Sequence, residues 1–130
     1  FSGCVKLWGT GTPLREFLWS EEMADASVYI MERIDFADLY KGQDTAIRNT
    51  HINIGTGIEH SIREVAQLVC KSVGFTGVIE FDSSKPDGTL RKLTDVSKLH
   101  ALGWHHQIEL EEGIDRLYKW YIENSKTWEK

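Results

Sequence analysis

Cysteine, proline and positive charge are scarce in this sequence. The shortages of cysteine and of positive charge each exclude kinds of protein. Its 130 residues contain two cysteines and two prolines, and 15 basic against 20 acidic residues give a net charge of −5. Two cysteines provide neither a disulfide framework nor a Cys-x-x-Cys motif, which favours a cytoplasmic protein. Because no run of Lys and Arg forms a basic stripe, we expect no nucleic-acid partner.

Long apolar runs, a leader sequence and a metal-binding pattern are also missing. No stretch approaches the roughly 20 apolar residues that span a bilayer, so we expect no membrane partner. Residues 1–4 lack the positive and apolar regions of a signal peptide, and the first residue is not Met, so we expect a fragment or a processed chain. The five histidines do not have the spacing of a zinc site, and we expect no metal.

The rest of the composition, 41% hydrophobic and 27% charged, is that of one small globular domain, and the pattern predicts a mixed α/β chain. The second predicted helix has the clearest boundaries, since Ser61-x-x-Glu64 is a capping box and Gly74 stands in a C-cap position. Short apolar runs predict strands at 5–8, 51–54 and 78–81, and helical spacing predicts helices at about 20–34, 62–73, 96–102 and 110–123. In the first of these helices, Ser20 is the expected N-cap, and a wide apolar face predicts that most of the helix is covered.

The stretch from Trp8 to Arg15, Trp-Gly-Thr-Gly-Thr-Pro-Leu-Arg, is the most suggestive of function. Its two glycines allow a bend with positive φ or a close approach to a ligand, and Pro13 fixes the direction of exit. An indole at one end and a guanidinium at the other suit a ligand with a flat or sugar part and a diphosphate, because Arg binds phosphate oxygens in a bidentate fork. The alternative is a tight hairpin in which Arg15 pairs with Glu16 or a neighbour.

A second glycine pair, in Gly55-Thr56-Gly57, precedes the helix predicted at 62–73 and has the outline of a dinucleotide-binding unit. His60 replaces the third glycine of that motif. The capping box also starts the helix only after Ser61, so a pyrophosphate would not lie on a glycine-lined helix N-terminus. We therefore predict an ordinary strand-to-helix turn, with a dinucleotide site as the alternative.

Asp87, in Lys-Pro-Asp-Gly (85–88), has two interpretations. As a turn residue it needs no function. As a ligand group, its carboxylate would accept hydrogen bonds from sugar hydroxyls or from the N–H groups of a base.

Hydride transfer of the short-chain reductase type needs a Tyr-x-x-x-Lys pair, which this sequence lacks. Tyr29 is followed four positions later by Arg33, and Tyr118 by Ile122. The chain alone is therefore not expected to perform this chemistry.

Three segments, 5–18, 51–57 and 81–92, together resemble the GDP-L-fucose synthases, which are NADPH-dependent epimerase/reductases of the extended short-chain dehydrogenase/reductase family. The Trp-Gly-x-Gly-x-Pro-x-Arg and Lys-Pro-Asp-Gly blocks are the most specific, and the likeness to the C-terminal part of that family extends from Val5 to Asn124. The resemblance implies that residues 1–130 are a small mixed α/β substrate-binding domain, with the Rossmann domain absent.

The resemblance also implies that this chain binds substrate, whereas catalysis and cofactor binding belong to another part of the enzyme. Trp8, Arg15 and Asp87 match positions that hold the GDP-sugar, with Arg15 on the diphosphate. The catalytic and cofactor-binding residues of the family lie upstream, so none is expected here, and NADPH would be bound by the missing N-terminal domain. The intact enzyme would be a homodimer that epimerises and reduces GDP-4-keto-6-deoxy-mannose to GDP-L-fucose, whereas this chain alone is expected to be inactive.

Two alternatives remain open at this point. One is the substrate domain of another extended-class nucleotide-sugar epimerase or dehydratase. The other is a non-catalytic interaction module, in which substitutions at Arg15 and Asp87 would leave every binding property unchanged.

Overall fold

The structure, a computed structural model, describes residues 3–42 and 46–125. This part of the chain forms short strands and longer helices, in agreement with the predicted mixed α/β class. The strands are β1 (Cys4–Trp8), β2 (Leu14–Glu16), β3 (Glu59–Ser61) and β4 (Val78–Asp82), and the helices are α1 (Ser20–Arg33), a 3₁₀ turn (Phe36–Leu39), α2 (Ile62–Val73), α3 (Ser97–Ala101) and α4 (Leu110–Asn124).

Strands β1 and β4 form a parallel pair that determines where the candidate site lies. Cys4 is opposite Val78 and Trp8 is opposite Asp82. Because parallel strands end at the same edge, the bend that follows β1 and the turn that follows β4 lie side by side. The Gly9 N–H continues the contact beyond the strands by donating to Asp82 O at 3.0 Å.

Strands β2 and β3 form a short antiparallel pair, in which Arg15 is opposite His60. The sequence predicted neither β2 nor β3 as a strand. The capping box at the start of α2 is confirmed, since Ser61 Oγ accepts from the Glu64 N–H and Glu64 accepts from the Ser61 N–H. The predicted end is confirmed as well, with Gly74 at φ 66°.

The strand predicted at 51–54 is wrong, because no strand in the described ranges pairs with this segment. The alternation that suggested a strand is nevertheless real. Ile52 and Ile54 pack against the buried core, and the Asn53 side chain donates to Asp95 O at 2.9 Å. The segment has strand-like side-chain placement without the neighbouring backbone that a sheet requires.

The buried core lies between α1, α3 and the 52–54 segment. Leu99 and Ala26 are fully buried and Trp104 nearly so. Two polar groups in this region have partners: Trp104 Nε1 donates to Asp25 at 2.8 Å, and the Tyr29 hydroxyl donates to Leu102 O at 2.6 Å.

Helix α1 differs from its prediction in two respects. It begins at Ser20 itself, with Trp19 at the N-cap and no side-chain capping bond, so Ser20 is not the cap. We expected most of the helix to be covered, but Met31 is 82% exposed and Met23 and Val28 are also exposed. None of the helices in the described part of the chain has the length and apolar character needed to cross a bilayer.

An apolar cleft of about 530 Å³ lies between the β1/β4 pair and helices α2 and α4. Its walls are formed almost wholly by aliphatic and aromatic side chains, with Cys70 among them. It does not include Trp8, Arg15 or Asp87, and it is therefore separate from the candidate site.

Candidate functional site

The three residues predicted to bind substrate lie around one corner of the molecule. Trp8 ends β1 and is 76% exposed. Asp87, in the turn after β4, bonds to Thr10 in the bend after β1. Arg15, in β2, lies against the same turn, because a Cβ added to Gly88 would be 3.2 Å from Arg15 Nη2. The β1/β4 pairing and the position of β2 thus bring Trp8, Arg15 and the turn at 87–88 together.

Asp87 holds the bend in place. Its Oδ1 accepts from the Thr10 N–H at 2.8 Å, and its Oδ2 accepts from Thr10 Oγ1 at 2.7 Å. These side-chain and backbone donors lower the pKa of Asp87 below its ordinary value, which favours the ionised form. A side chain at Gly9 would collide with Asp87 Oδ1, and Gly9 has φ 85°, so glycine is required there on two counts.

The structure therefore gives Asp87 a structural role in the turn and leaves its predicted contact with substrate as a prediction. Each oxygen accepts one hydrogen bond from Thr10, and a carboxylate has about four acceptor positions. The carboxylate thus retains acceptor capacity toward a ligand while it holds the bend.

Arg63 and Phe81 pack against the bend that follows β1. The Arg63 guanidinium lies 4.0 Å from the centroid of the Phe81 ring and donates to Thr10 O at 2.9 Å. Gly11 rests on the same ring. Since Asp87 binds Thr10 N–H and Oγ1 and Arg63 binds its carbonyl, every polar group of Thr10 is held. Arg63 was not predictable as part of this site, because its position in the sequence is typical of a solvent-exposed residue on helix α2.

Arg15 is half-buried and is not neutralised by a carboxylate. Its Nη1 donates to Leu14 O at 2.6 Å, and no ion pair joins it to an acidic side chain of the described residues. Arg15 therefore has no ion pair with Glu16, but its bond to the neighbouring Leu14 carbonyl is one that the hairpin alternative allows. A guanidinium with its charge uncompensated beside an open corner is suited to bind an anion such as a diphosphate.

Lys85 adds a second positive charge near Trp8. Its Nζ lies 5.6 Å from the centroid of the indole ring. Because Trp8 is largely exposed, the ring also offers surface to a flat or sugar group of a ligand. The corner thus combines an aromatic surface with two cations.

Two backbone N–H groups of the Gly55-Thr56-Gly57 turn already have a hydrogen-bond acceptor within the protein. Glu16 Oε1 accepts from the Thr56 and Gly57 N–H groups, both at 2.7 Å. These are the backbone donors that a pyrophosphate would need. The structure therefore favours an ordinary turn over the dinucleotide site, although the strand expected before this turn does not form.

No group of three or more His, Cys, Asp and Glu side chains capable of holding a metal ion occurs within residues 3–42 and 46–125. The chemistry of the corner rests on hydrogen-bond donors, positive charge and an aromatic ring.

Comparisons with known proteins show which enzymes the chain is similar to. The family model described as the NAD dependent epimerase/dehydratase family matches residues 3–55. The GDP-L-fucose synthase of Escherichia coli K12 is 50% identical over 120 residues, which cover 92% of this chain and 36% of that protein. The chain thus spans about a third of the length of the curated relatives it matches.

Solved structures give the same result. A GDP-6-OMe-4-keto-L-xylo-heptose reductase from Campylobacter jejuni superposes with a TM-score of 0.86 at 50% identity, over 93% of this chain and 34% of that one. A GDP-L-fucose synthetase from Naegleria fowleri bound to NADP gives 0.76 at 28% identity, over 95% and 36% of the two chains. The expected small mixed α/β fold is confirmed, and it is similar to part of these GDP-sugar enzymes. Residues 3–55 thus match the NAD dependent epimerase/dehydratase family model, and the chain is similar, over about a third of their length, to the GDP-L-fucose synthases.

Proposed function

We propose that residues 1–130 form the nucleotide-sugar-binding part of an epimerase/reductase similar to the GDP-L-fucose synthases. The observation that carries this proposal is the convergence of Trp8, Arg15 and the Asp87 turn on one corner. Arg15 binds the diphosphate, Trp8 contacts the sugar or the base, and Asp87 accepts hydrogen bonds from hydroxyl or N–H groups while it holds the bend.

The reaction of the intact enzyme requires residues outside this chain. NADPH, which we assign to a Rossmann domain N-terminal to this unit, supplies the hydride that reduces the 4-keto group after epimerisation at the two neighbouring carbons. Residues 1–130 contribute binding and orientation, since a diphosphate held at Arg15 fixes the position of the sugar relative to the reacting groups. The chain alone is expected to show no NADPH turnover.

The sugar itself distinguishes two candidate functions. The Escherichia coli GDP-L-fucose synthase and the Campylobacter heptose reductase are both 50% identical to this chain, and the names of both contain GDP but different sugars. The GDP moiety is therefore the shared feature, and the second candidate is a reductase of another GDP-4-keto sugar. Turnover of GDP-4-keto-6-deoxy-mannose against a GDP-4-keto-heptose by the full-length enzyme separates the two.

The test of the shared claim uses the 130-residue chain and a panel of nucleotides. We expect weak binding of GDP, and weaker binding of UDP and dTDP, by NMR titration. Arg15→Ala should weaken GDP binding by about tenfold or more, the effect of losing charge-assisted hydrogen bonds to phosphate. Arg116→Ala is the matched control, because Arg116 pairs with Glu112 on α4, outside the corner. Equal GDP affinity in both variants would refute the proposal.

The exposed apolar side chains of α1 predict how the isolated chain behaves. Met31, Met23 and Val28 together leave apolar surface open to solvent. We propose that the Rossmann domain or a second subunit of the intact homodimer covers part of this surface. The isolated chain should therefore self-associate, which sedimentation at increasing concentration would reveal.

A further inference from the structure

Glu16 makes a dense set of hydrogen bonds directly beside Arg15, and the proposed binding of substrate does not account for it. Its Oε1 accepts from the N–H groups of Thr56 and Gly57, both at 2.7 Å. Its Oε2 accepts from the Thr94 N–H at 3.1 Å and from Thr94 Oγ1 at 2.6 Å. One carboxylate therefore joins three segments that are far apart in the sequence.

The surroundings of Glu16 are built for a carboxylate. Gly55 leaves the space that it needs, because a Cβ there would lie 2.9 Å from Glu16 Cδ and 2.5 Å from Thr94 Oγ1. The backbone partners of both oxygens are N–H groups, which can only donate. A glutamine amide would turn its own N–H₂ toward at least one of them, in either orientation, and leave donors facing donors.

Glu16 also determines the geometry of its neighbour. Strand β2 has three residues and, among the strands of residues 3–42 and 46–125, pairs with the three-residue β3 alone, a ladder that is marginal without further support. Successive side chains of a strand point to opposite faces, so a Glu16 held on one face places Arg15 on the other. We propose that Glu16 is a positioning residue that fixes Arg15 for diphosphate binding.

The segment from Asp87 to Thr94 extends this effect. Asp87 is bonded to Thr10 at one end and Thr94 to Glu16 at the other. Between them, the Leu14 N–H donates to Leu90 O at 2.8 Å. Gly88, which abuts Arg15, lies within this segment, so Glu16 helps to hold both the arginine and the surface that it rests against.

The protonation state of Glu16 is consistent with this role. Partial burial raises the pKa of Glu16, whereas the hydrogen bonds from Thr94, Gly57 and Thr56 lower it. The hydrogen bonds together have the larger effect, so the net pKa lies below the ordinary value. The carboxylate is thus ionised at neutral pH, as an acceptor of these donors must be.

The experiment measures binding of GDP and of guanosine to the 130-residue chain by NMR titration. Guanosine lacks phosphate, so the ratio of the two affinities reports on the contacts to phosphate, that of Arg15 among them. This inference rests on the proposed function of Arg15. We expect Glu16→Gln to reduce the preference for GDP by about tenfold, as Arg15→Ala does, with guanosine binding unchanged. The double variant should be no worse than Arg15→Ala, because both changes remove the same contact.

Two further variants separate positioning from stability. Glu64→Gln removes the same charge from the capping box of α2 and should lower thermal stability without changing the preference for GDP. Thr94→Val removes only the Oγ1 donor to Glu16, and should reduce the preference for GDP less than Glu16→Gln does while the chain stays folded.

The outcomes distinguish the two proposals. If Arg15→Ala leaves the preference for GDP intact, the proposed function fails. If Arg15→Ala lowers it but Glu16→Gln and Thr94→Val do not, the positioning role alone is refuted. Additive losses in the double variant would refute it as well, because they would show that Glu16 acts independently of Arg15.

Discussion

Replacement of Gly11 by alanine tests whether the bend is supported as the structure shows. Gly11 has φ 77°, a conformation that costs a side chain about 1–2 kcal/mol. The new Cβ would also lie 2.8 Å from Cδ1 and 2.9 Å from Cζ of Phe81, and closer still to Cε1. Moving a packed ring costs a further 1–3 kcal/mol or so. We therefore expect Gly11→Ala to lower the free energy of unfolding by about 2–5 kcal/mol.

Gly74→Ala is the matched control for this measurement. Gly74 has φ 66°, but no residue beyond its immediate chain neighbours has an atom within 4 Å of the position of its Cβ. Only the conformational cost of about 1–2 kcal/mol should therefore appear. Urea unfolding followed by circular dichroism gives both values, and their difference isolates the contact with Phe81. Equal destabilisation by the two variants would show that Phe81 does not support the bend.

Three further predictions concern stability. Leu99→Ala should lower the free energy of unfolding by about 2–5 kcal/mol in urea unfolding, because Leu99 is 0% exposed in the core. Ser61→Ala should cost about 1 kcal/mol by the same measurement, since it removes the N-cap acceptor of α2. Because the pKa of Glu16 is lower in the folded chain, its stabilisation is complete above the ordinary value of 4.5 and is lost as the pH falls through the folded pKa. The stability difference between the wild-type chain and Glu16→Gln should therefore shrink on acidification, and a constant difference down to pH 2 would contradict this role for Glu16.

Features that depend on residues close together in the chain were predictable from the sequence. The capping box at Ser61 and the C-cap at Gly74 depend on residues within one helix, and both were placed correctly. Strands β1 and β4 were recognised by their apolar content. By contrast, the strand expected at 51–54 needed a neighbouring strand that the described part of the chain does not supply.

The sequence predicted residues of the candidate site but not the hydrogen bonds that hold them in place. Trp8 and Arg15 stood out because they flank one short glycine-proline bend, and Asp87 because of its turn. The bonds of Glu16 to Thr94 and of Arg63 to Thr10 span 78 and 53 positions, and no spacing rule links residues so far apart. They depend on how the strands bring the loops together, which the sequence pattern does not specify.

Mapping of GDP binding on the isotope-labelled 130-residue chain tests the central claim most directly. Amide signals of the non-proline residues in 8–15 and 85–88 should shift on titration with GDP, and Arg15→Ala should need about tenfold more GDP for the same shifts. Those of Thr56 and Gly57 should change little, since Glu16 already occupies their N–H groups. Shifts centred on residues 55–57, with the corner between Trp8 and Asp87 unaffected, would contradict the assignment of this corner as the nucleotide-sugar site.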